Sequence, residues 1–174
     1  MKIIIFITAL LFATNTAKSQ IIQAELIANG LTCSMCSNAT LKQLNTLSFV
    51  DSIQVDLEHT SFILFFKKGM EVNINQIKNK VEAAGFSVGS LVLNVNFTNQ
   101  QINDGLSFDL EKQYFIGMNT EQKLLKGDAK IKILNKGFVA DKEYKTILKS
   151  AANYPNYEKG VNAEGKILFH IKIV

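Results

Sequence analysis

Cys33 and Cys36 are the residues of this sequence best suited to chemistry, and they are its only cysteines. They stand three positions apart in the stretch Gly-Leu-Thr-Cys-Ser-Met-Cys, residues 30–36. Two thiols at this spacing can form a disulfide, act as a redox pair or bind a metal ion as thiolates. A purely structural disulfide is the weakest of these interpretations, because the loop that it would close is too small to stabilise the fold much.

The flanking residues place the two thiols between a strand and a helix. Apolar and polar residues alternate from Ile21 to Ala28, which predicts a half-buried strand that Gly30 ends. After Cys36 the period changes to three and four residues, which predicts an amphipathic helix with a shared face at Thr40, Leu41, Leu44 and Leu47. A thiol at the start of a helix faces unpaired backbone N–H groups, which favour the thiolate.

Further alternating and helical stretches complete a compact unit. They predict two strands joined by a turn at residues 58–61, a helix that begins at Asn73 or Asn75 and ends at Gly85, and a last strand over residues 91–97. The order is β-α-β-β-α-β, the ferredoxin-like split βαβ arrangement. Right-handed crossovers then require both helices on one face of a four-stranded antiparallel sheet.

The whole chain is therefore expected to be α+β, with four segments. Residues 1–19 have the outline of a secretory signal peptide, with cleavage predicted before Gln20, so we expect an exported protein, periplasmic or secreted. Residues 20–98 form the first domain, 99–106 a polar linker, and 107–174 a small second domain, α+β or barrel-like, of unknown role. We expect strands near 114–118, 129–134 and 167–174, and a helix from Asp141 to about Ala152.

Several classes of function are disfavoured by composition. The net charge of +4 comes without a single arginine, which makes nucleic acid an improbable partner. No stretch after the signal peptide is apolar for long enough to span a membrane. The two histidines, His59 in a turn and His170 in the last strand, are interpreted as surface or sheet residues rather than ligands, and Met35 as a residue facing solvent or a partner. With no visible set of catalytic groups, we do not expect an enzyme.

At these residues the first half resembles the heavy-metal-associated domain family of copper chaperones, copper-transporting ATPases and the periplasmic mercury-binding protein. The motif that carries the resemblance is Gly30–Cys36, and agreement continues at Leu44 and Leu47 and over residues 50–57 and 81–86. The resemblance implies that Cys33 and Cys36 bind the metal, that Leu31 packs into the core in place of the family's methionine, and that Phe86 lies close to the cysteine loop. Thr40 and Met35 depart from the family pattern.

The function expected first is Cu(I) capture through the two thiolates and transfer to another protein by ligand exchange, with a metal donor or acceptor as partner. Two thiolates without a nearby histidine or carboxylate make a poor four-donor zinc site, although Zn(II) remains possible, and they suit a soft ion of low coordination number. The alternative is Hg(II) binding. A thiol–disulfide oxidoreductase is the hypothesis from another class of function. It is disfavoured because thioredoxin-like enzymes place a cis-proline opposite their two active cysteines, whereas the only proline of this sequence, Pro155, lies in the other half.

Overall fold

The computed structural model describes residues 18–31, 34–56 and 58–174. The predicted signal peptide lies outside the described residues except for Lys18 and Ser19, and its cleavage stays a prediction. Thr32, Cys33 and Leu57 also lie outside them. Within the described ranges, no helix is both long enough and apolar enough to cross a lipid bilayer.

The described chain forms one sheet of eight strands with helices packed against it. The strand order is β2-β3-β1-β4-β7-β8-β6-β5, so β2 and β5 are the two edges. The elements are β1 Gln20–Asn29, α1 Ser34–Leu44, β2 Val50–Asp56, β3 Ser61–Phe66, α2 Ile74–Ala83, β4 Ser87–Ile102, β5 Ser107–Leu110, β6 Gln113–Gly117, β7 Lys123–Ile133, α3 Asp141–Ser150, a 3₁₀ turn Ala151–Asn153 and β8 Leu168–Ile173.

The first half has the predicted βαββαβ order. Strands β2, β3, β1 and β4 are neighbours and pair antiparallel throughout. The alternation expected in β1 is confirmed from Ala24 to Ala28, because Ala24, Leu26 and Ala28 are buried in the main core while the residues between them are only half-buried. It fails at the start of the strand, where a β-bulge between Ile21 and Gln23 buries Ile21 in place of Ile22. Helix α2 buries Ile74, Ile77 and Val81 in the same core.

Helix α2 begins and ends where its sequence signals it. Of the two asparagines that could cap it, Asn73 does so: its side chain accepts a hydrogen bond from the Gln76 N–H at 3.1 Å. Gly85 follows the helix with φ of +88°, a left-handed conformation that glycine adopts without a Cβ penalty. The prediction for both ends is confirmed, and the rigid helix supports the loop that carries Phe86.

Strand β4 belongs to both halves of the chain. It is 16 residues long and pairs with β1 on one side and with β7 on the other. Residues 99–102 of the predicted linker lie in this strand, where Gln100 pairs with Leu125 and Ile102 with Lys123. These residues are polar, which suggested a linker. A strand with one side exposed to solvent can have the same composition, because only every second residue needs to be apolar. The division into two domains therefore stays a prediction.

The second half extends the sheet and does not close into a barrel. Strands β7, β8, β6 and β5 follow β4 in the order of the sheet, and the β6–β8 pair is parallel, so the sheet is mixed. The expected strands near 114–118, 129–134 and 167–174 and the helix from Asp141 are present, whereas the short β5 was not predicted. Of the two forms expected for residues 107–174, α+β is correct and barrel-like is wrong, because β5 remains an open edge.

The helices lie on opposite faces of the sheet. Lys132 of β7 points away from the main core, since its strand neighbours Ile131 and Ile133 are buried in it, and the Lys132 Nζ bonds Glu143 of α3 at 2.6 Å. Helix α3 thus covers the face opposite α1 and α2. Beneath it is a smaller apolar cluster, composed of Met118, Leu134, Val139, Tyr144, Ala151, Tyr154 and Tyr157.

The β5–β6 turn ties the second half to the first through one carboxylate. Glu111 accepts a hydrogen bond from the Ile21 N–H with one oxygen and from the Val72 N–H with the other, each at 2.8 Å. Glu111 and Lys112 adopt φ of 50° and 61°, unusual for residues with a Cβ. Burial raises the pKa of Glu111, although the two N–H donors act against that shift. Positive φ at both central residues is typical of the two-residue type I′ turn that joins paired strands such as β5 and β6, and the turn presents the Glu111 carboxylate to both N–H groups.

Candidate metal centre

The cysteine motif connects the end of β1 to the start of α1. Cys36 is the third residue of α1 and lies in its first turn, half-buried against the main core. Cys33 immediately precedes the helix in sequence and, like Thr32, lies outside the described residues. The position of Cys36 matches the prediction of a thiol at a helix N-terminus, while the pairing of both sulfurs around one ion stays a prediction.

Gly30 and Leu31 set the direction of the motif. Gly30 has φ of +86°, so the chain turns out of β1 in a conformation that a residue with a Cβ would adopt only with strain. Leu31 is then buried in the main core, which confirms the packing that the resemblance implied. A Cβ built on Gly30 would lie 3.5 Å from the Phe86 ring, so Phe86 is beside the start of the motif, as expected.

Thr40 forms a hydrogen bond with the backbone carbonyl of Cys36, one turn earlier in α1. Its side chain is completely buried, and its Oγ1 donates to the Cys36 carbonyl oxygen at 3.3 Å. The resemblance places an apolar residue at position 40. The buried Thr40 hydroxyl is tolerated there because this hydrogen bond leaves its O–H donor paired. Sequence reasoning missed this role, although the four-residue spacing between Cys36 and Thr40 is its signal.

The exposed residues of α1 around Cys36 carry no charge. The Met35 side chain is 80% exposed, and Ser34, Asn38 and Ala39 of α1 are exposed as well. The first turn of α1 has no acidic residue, and Lys42 in its last turn is the only charged residue of the helix. Met35 therefore faces away from the core, as predicted, and offers an apolar contact beside the cysteines.

Three connections meet at this end of the sheet. Ile27 of β1 pairs with Ser61 of β3, and Asn29 pairs with Ser87 of β4. The β2–β3 turn and the α2–β4 connection therefore flank the cysteine motif.

The second half also reaches α2, because the Lys78 Nζ lies 5.8 Å from the centroid of the Phe138 ring in the β7–α3 connection. Sequence reasoning gave no signal for that contact, since it depends on sheet order.

The two histidines lie in different environments. His59 lies in the β2–β3 turn with 70% of its side chain exposed, and its Nδ1 is 2.8 Å from the Asp56 Oδ2. The hydrogen bond from His59 lowers the pKa of Asp56. His170 is completely buried in β8. Across the part of the chain that the structure describes, no three His, Cys, Asp or Glu side chains form a cluster able to hold a metal ion.

This arrangement limits the chemistry available. Cys33 and Cys36 are the candidate ligands, and two sulfur donors suit a soft ion of low coordination number rather than a closed tetrahedral site. The turn at Gly30 and the packing of Leu31 anchor one end of the motif, and the first turn of α1 anchors the other.

Comparison with solved structures gives similar folds over part of the chain. The yeast copper transporter domain Ccc2a is 29% identical, with 37% of this chain and 88% of that chain covered and a TM-score of 0.34. The CopZ metallochaperone is 29% identical, with 38% and 97% covered and a TM-score of 0.35. The apo HMA domain of a copper chaperone for superoxide dismutase is 19% identical, with 53% and 87% covered and a TM-score of 0.35.

No protein-family model and no curated protein matches the chain. With TM-scores below 0.5, the structural similarities do not by themselves establish a function. What the comparisons give is a likeness: part of this chain is similar to solved domains of copper transporters and copper chaperones.

Proposed function

We propose that this chain is an exported metal-binding protein that holds a soft ion, Cu(I) in first place, between Cys33 and Cys36 and passes it to a partner protein. The observation that carries the proposal is the position of Cys36, half-buried in the first turn of α1 at the end of a β-α connection. Backbone N–H groups at that helix start favour thiolates, and a thiolate pair is a good ligand set for Cu(I).

Transfer would proceed by ligand exchange. A thiolate of the partner adds to the bound ion and gives a three-coordinate intermediate, after which Cys33 or Cys36 leaves and the ion moves across. No redox change or catalytic group is needed, so the role is binding and transfer rather than catalysis. The exposed Met35 side chain next to Cys36 supports this mechanism, because it offers a partner protein an apolar contact beside the sulfur.

The second half of the chain is assigned a stabilising role. It pairs with β4 along residues 92–102, and its apolar residues belong to the same main core as those of the first half. It also supplies the carboxylate of Glu111 to β1 and to the residues before α2. The metal site is thus supported from both halves, while both proposed ligands come from the first.

The test is an anaerobic titration of the reduced protein, residues 20–174, with Cu(I) in the presence of a competing chelator. We expect one tightly held ion per chain in the wild type and none in the Cys33→Ser/Cys36→Ser double variant. Met35→Leu is the matched control, because it removes a sulfur from the residue next to Cys36 in the first turn of α1 and should leave the stoichiometry unchanged.

Copper binding that survives the loss of both cysteines would overturn the proposal. Loss of binding in Met35→Leu would show instead that the thioether is a ligand. If one ion binds as expected, the same titration with Hg(II) and Zn(II) ranks the metals, and a higher affinity for Hg(II) over Cu(I) would favour the mercury alternative.

A further inference from the structure

The ring of His170 is buried, and the nearest backbone acceptor, at Leu168, is not placed to complete a hydrogen bond with it. The residue is 0% exposed, and neither Nδ1 nor Nε2 has a partner among the residues that the structure describes. Its backbone is well bonded in contrast: the N–H donates to the Asn135 Oδ1 at 2.6 Å, and the carbonyl accepts from the Leu134 N–H at 2.8 Å. The strand therefore holds the imidazole in place while its polar atoms gain nothing from the surroundings.

Aromatic side chains enclose this imidazole on the face that α3 covers. The Tyr157 ring lies edge-on to it, with centroids 5.0 Å apart and an interplanar angle of 89°. The Tyr157 hydroxyl donates to the Leu134 carbonyl at 2.6 Å, and Tyr144 stacks on the Tyr157 ring at 5.5 Å. These residues belong to the small cluster under α3, which is separate from the main core. Only this cluster shields His170 from water on that face.

No carboxylate is placed to stabilise a charged imidazole. The titratable and charged groups on strands β6 to β8 are Tyr114, Lys123, Lys126, Asp128, Lys130, Lys132 and Lys172. Those on α3 and the segment after it are Asp141, Lys142, Glu143, Tyr144, Lys145, Lys149, Tyr154, Tyr157, Glu158 and Lys159. Glu143 is paired with Lys132, and the Tyr154 hydroxyl donates to Asp104 at 2.5 Å. None of these charged groups contributes to the pKa shift of His170, which burial dominates.

We propose that His170 is an acid-sensitive latch: protonation of its ring opens the α3 layer, residues 141–160, from the sheet while strands β1 to β4 stay paired. In the closed state the ring must be neutral, because a charged imidazole there would have neither water nor a partner. In the open state water solvates the charge. Acid therefore favours opening.

The pH range follows from the two protonation equilibria. Burial lowers the pKa of His170 to about 4 in the closed state, with the backbone of Leu168 acting weakly in the opposite direction, whereas the solvated ring has the ordinary value of 6.5. Because the closed-state pKa is the lower one, the open state binds more protons between these values. Closure is then fully favoured above pH 6.5 and weakens as the pH falls toward 4. From pH 7 to pH 5 the opening equilibrium should rise roughly 20-fold.

Hydrogen exchange of the full residue 20–174 protein at pH 7, 6 and 5 tests the latch, with protection factors corrected for the intrinsic exchange rate. In the wild type, protection of amides in 141–160 should fall roughly 20-fold from pH 7 to pH 5, while amides of β1 and β4 stay protected. His170→Phe keeps an aromatic ring against Tyr157 and should reduce the fall to below about twofold, because it removes the proton acceptor. The control His59→Gln changes the exposed histidine and should retain the wild-type fall.

An equal fall in His170→Phe, a fall shared by β1 and β4, or constant protection in the wild type would overturn the latch. Should the Phe variant fail to fold, NMR titration of the wild-type imidazole gives the same decision. A pKa well below 6 for His170 supports the latch, and a value near 6.5 refutes it.

Discussion

The Glu111 carboxylate offers a sharp test of how the two halves are joined. Replacing Glu111 with Gln keeps one acceptor oxygen but turns an N–H donor of the new amide toward the Ile21 or Val72 N–H. One charge-assisted hydrogen bond is lost, and a half-buried donor is left unpaired, which should lower the free energy of unfolding by about 1–3 kcal/mol. Glu111→Ala removes both acceptors and should cost about 2–4 kcal/mol.

Urea unfolding followed by two probes measures this effect and its reach. All four tyrosines lie in the second half and there is no tryptophan, so tyrosine fluorescence reports on that half alone. Pulsed hydrogen exchange of the amides in β1 and β3 reports on the first half. Because the halves share β4, the main core and the Glu111 bonds, we expect coincident transitions in the wild type, shifted together in both variants.

The matched control for this experiment is Glu71→Gln. Glu71 pairs with Lys112 on the exposed side of the same turn, so its loss should change the free energy of unfolding by less than about 1 kcal/mol. The reasoning is refuted if Glu111→Gln costs no more than the control. Transitions that separate between the two probes in the wild type would contradict the joined-sheet interpretation as well.

Two further substitutions test single hydrogen bonds. Asn73→Ala should lower the free energy of unfolding by about 1 kcal/mol, because it removes the N-cap of α2. The control Asn75→Ala, in the first turn of the same helix, should change it by less than about 0.5 kcal/mol. Urea unfolding compares the two variants, and equal costs would contradict the assignment of Asn73 as the cap. Tyr157→Phe should cost about 1–2 kcal/mol in the same assay, because the buried Leu134 carbonyl loses its donor; an unchanged midpoint would show that the bond contributes nothing.

Local patterns predicted the first half well because its signals are local. Alternation in β1, the caps at Asn73 and Gly85 and the break at Gly30 each depend on a few neighbouring residues, and each is present in the structure. The βαββαβ order then left few possible topologies, since crossovers are right-handed and hairpin strands are neighbours.

The arrangement of the second half could not be predicted in the same way. The pairing of β4 with β7 joins Val92 to Lys132, and that of β6 with β8 joins Tyr114 to Leu168, so both depend on contacts far apart in sequence. The polar residues 99–101 looked like a linker because a strand's exposed side carries no apolar signal. At the candidate metal site, the sequence identified the two cysteines as possible ligands. It did not predict the hydrogen bond from Thr40 to the Cys36 carbonyl or the contact between Phe138 and Lys78, because both depend on how the elements pack.

Strand β4 also has a consequence for how the protein is made. During synthesis the first half emerges before β7 exists, so one side of β4 presents unpaired N–H and C=O groups until the rest of the chain arrives. An open strand edge of this kind recruits other strands, including those of identical molecules. A fragment that stops near residue 100 would retain the cysteine motif but carry a permanently exposed edge, and self-association would limit its use. Residues 123–133 thus protect the nascent chain as well as complete the sheet.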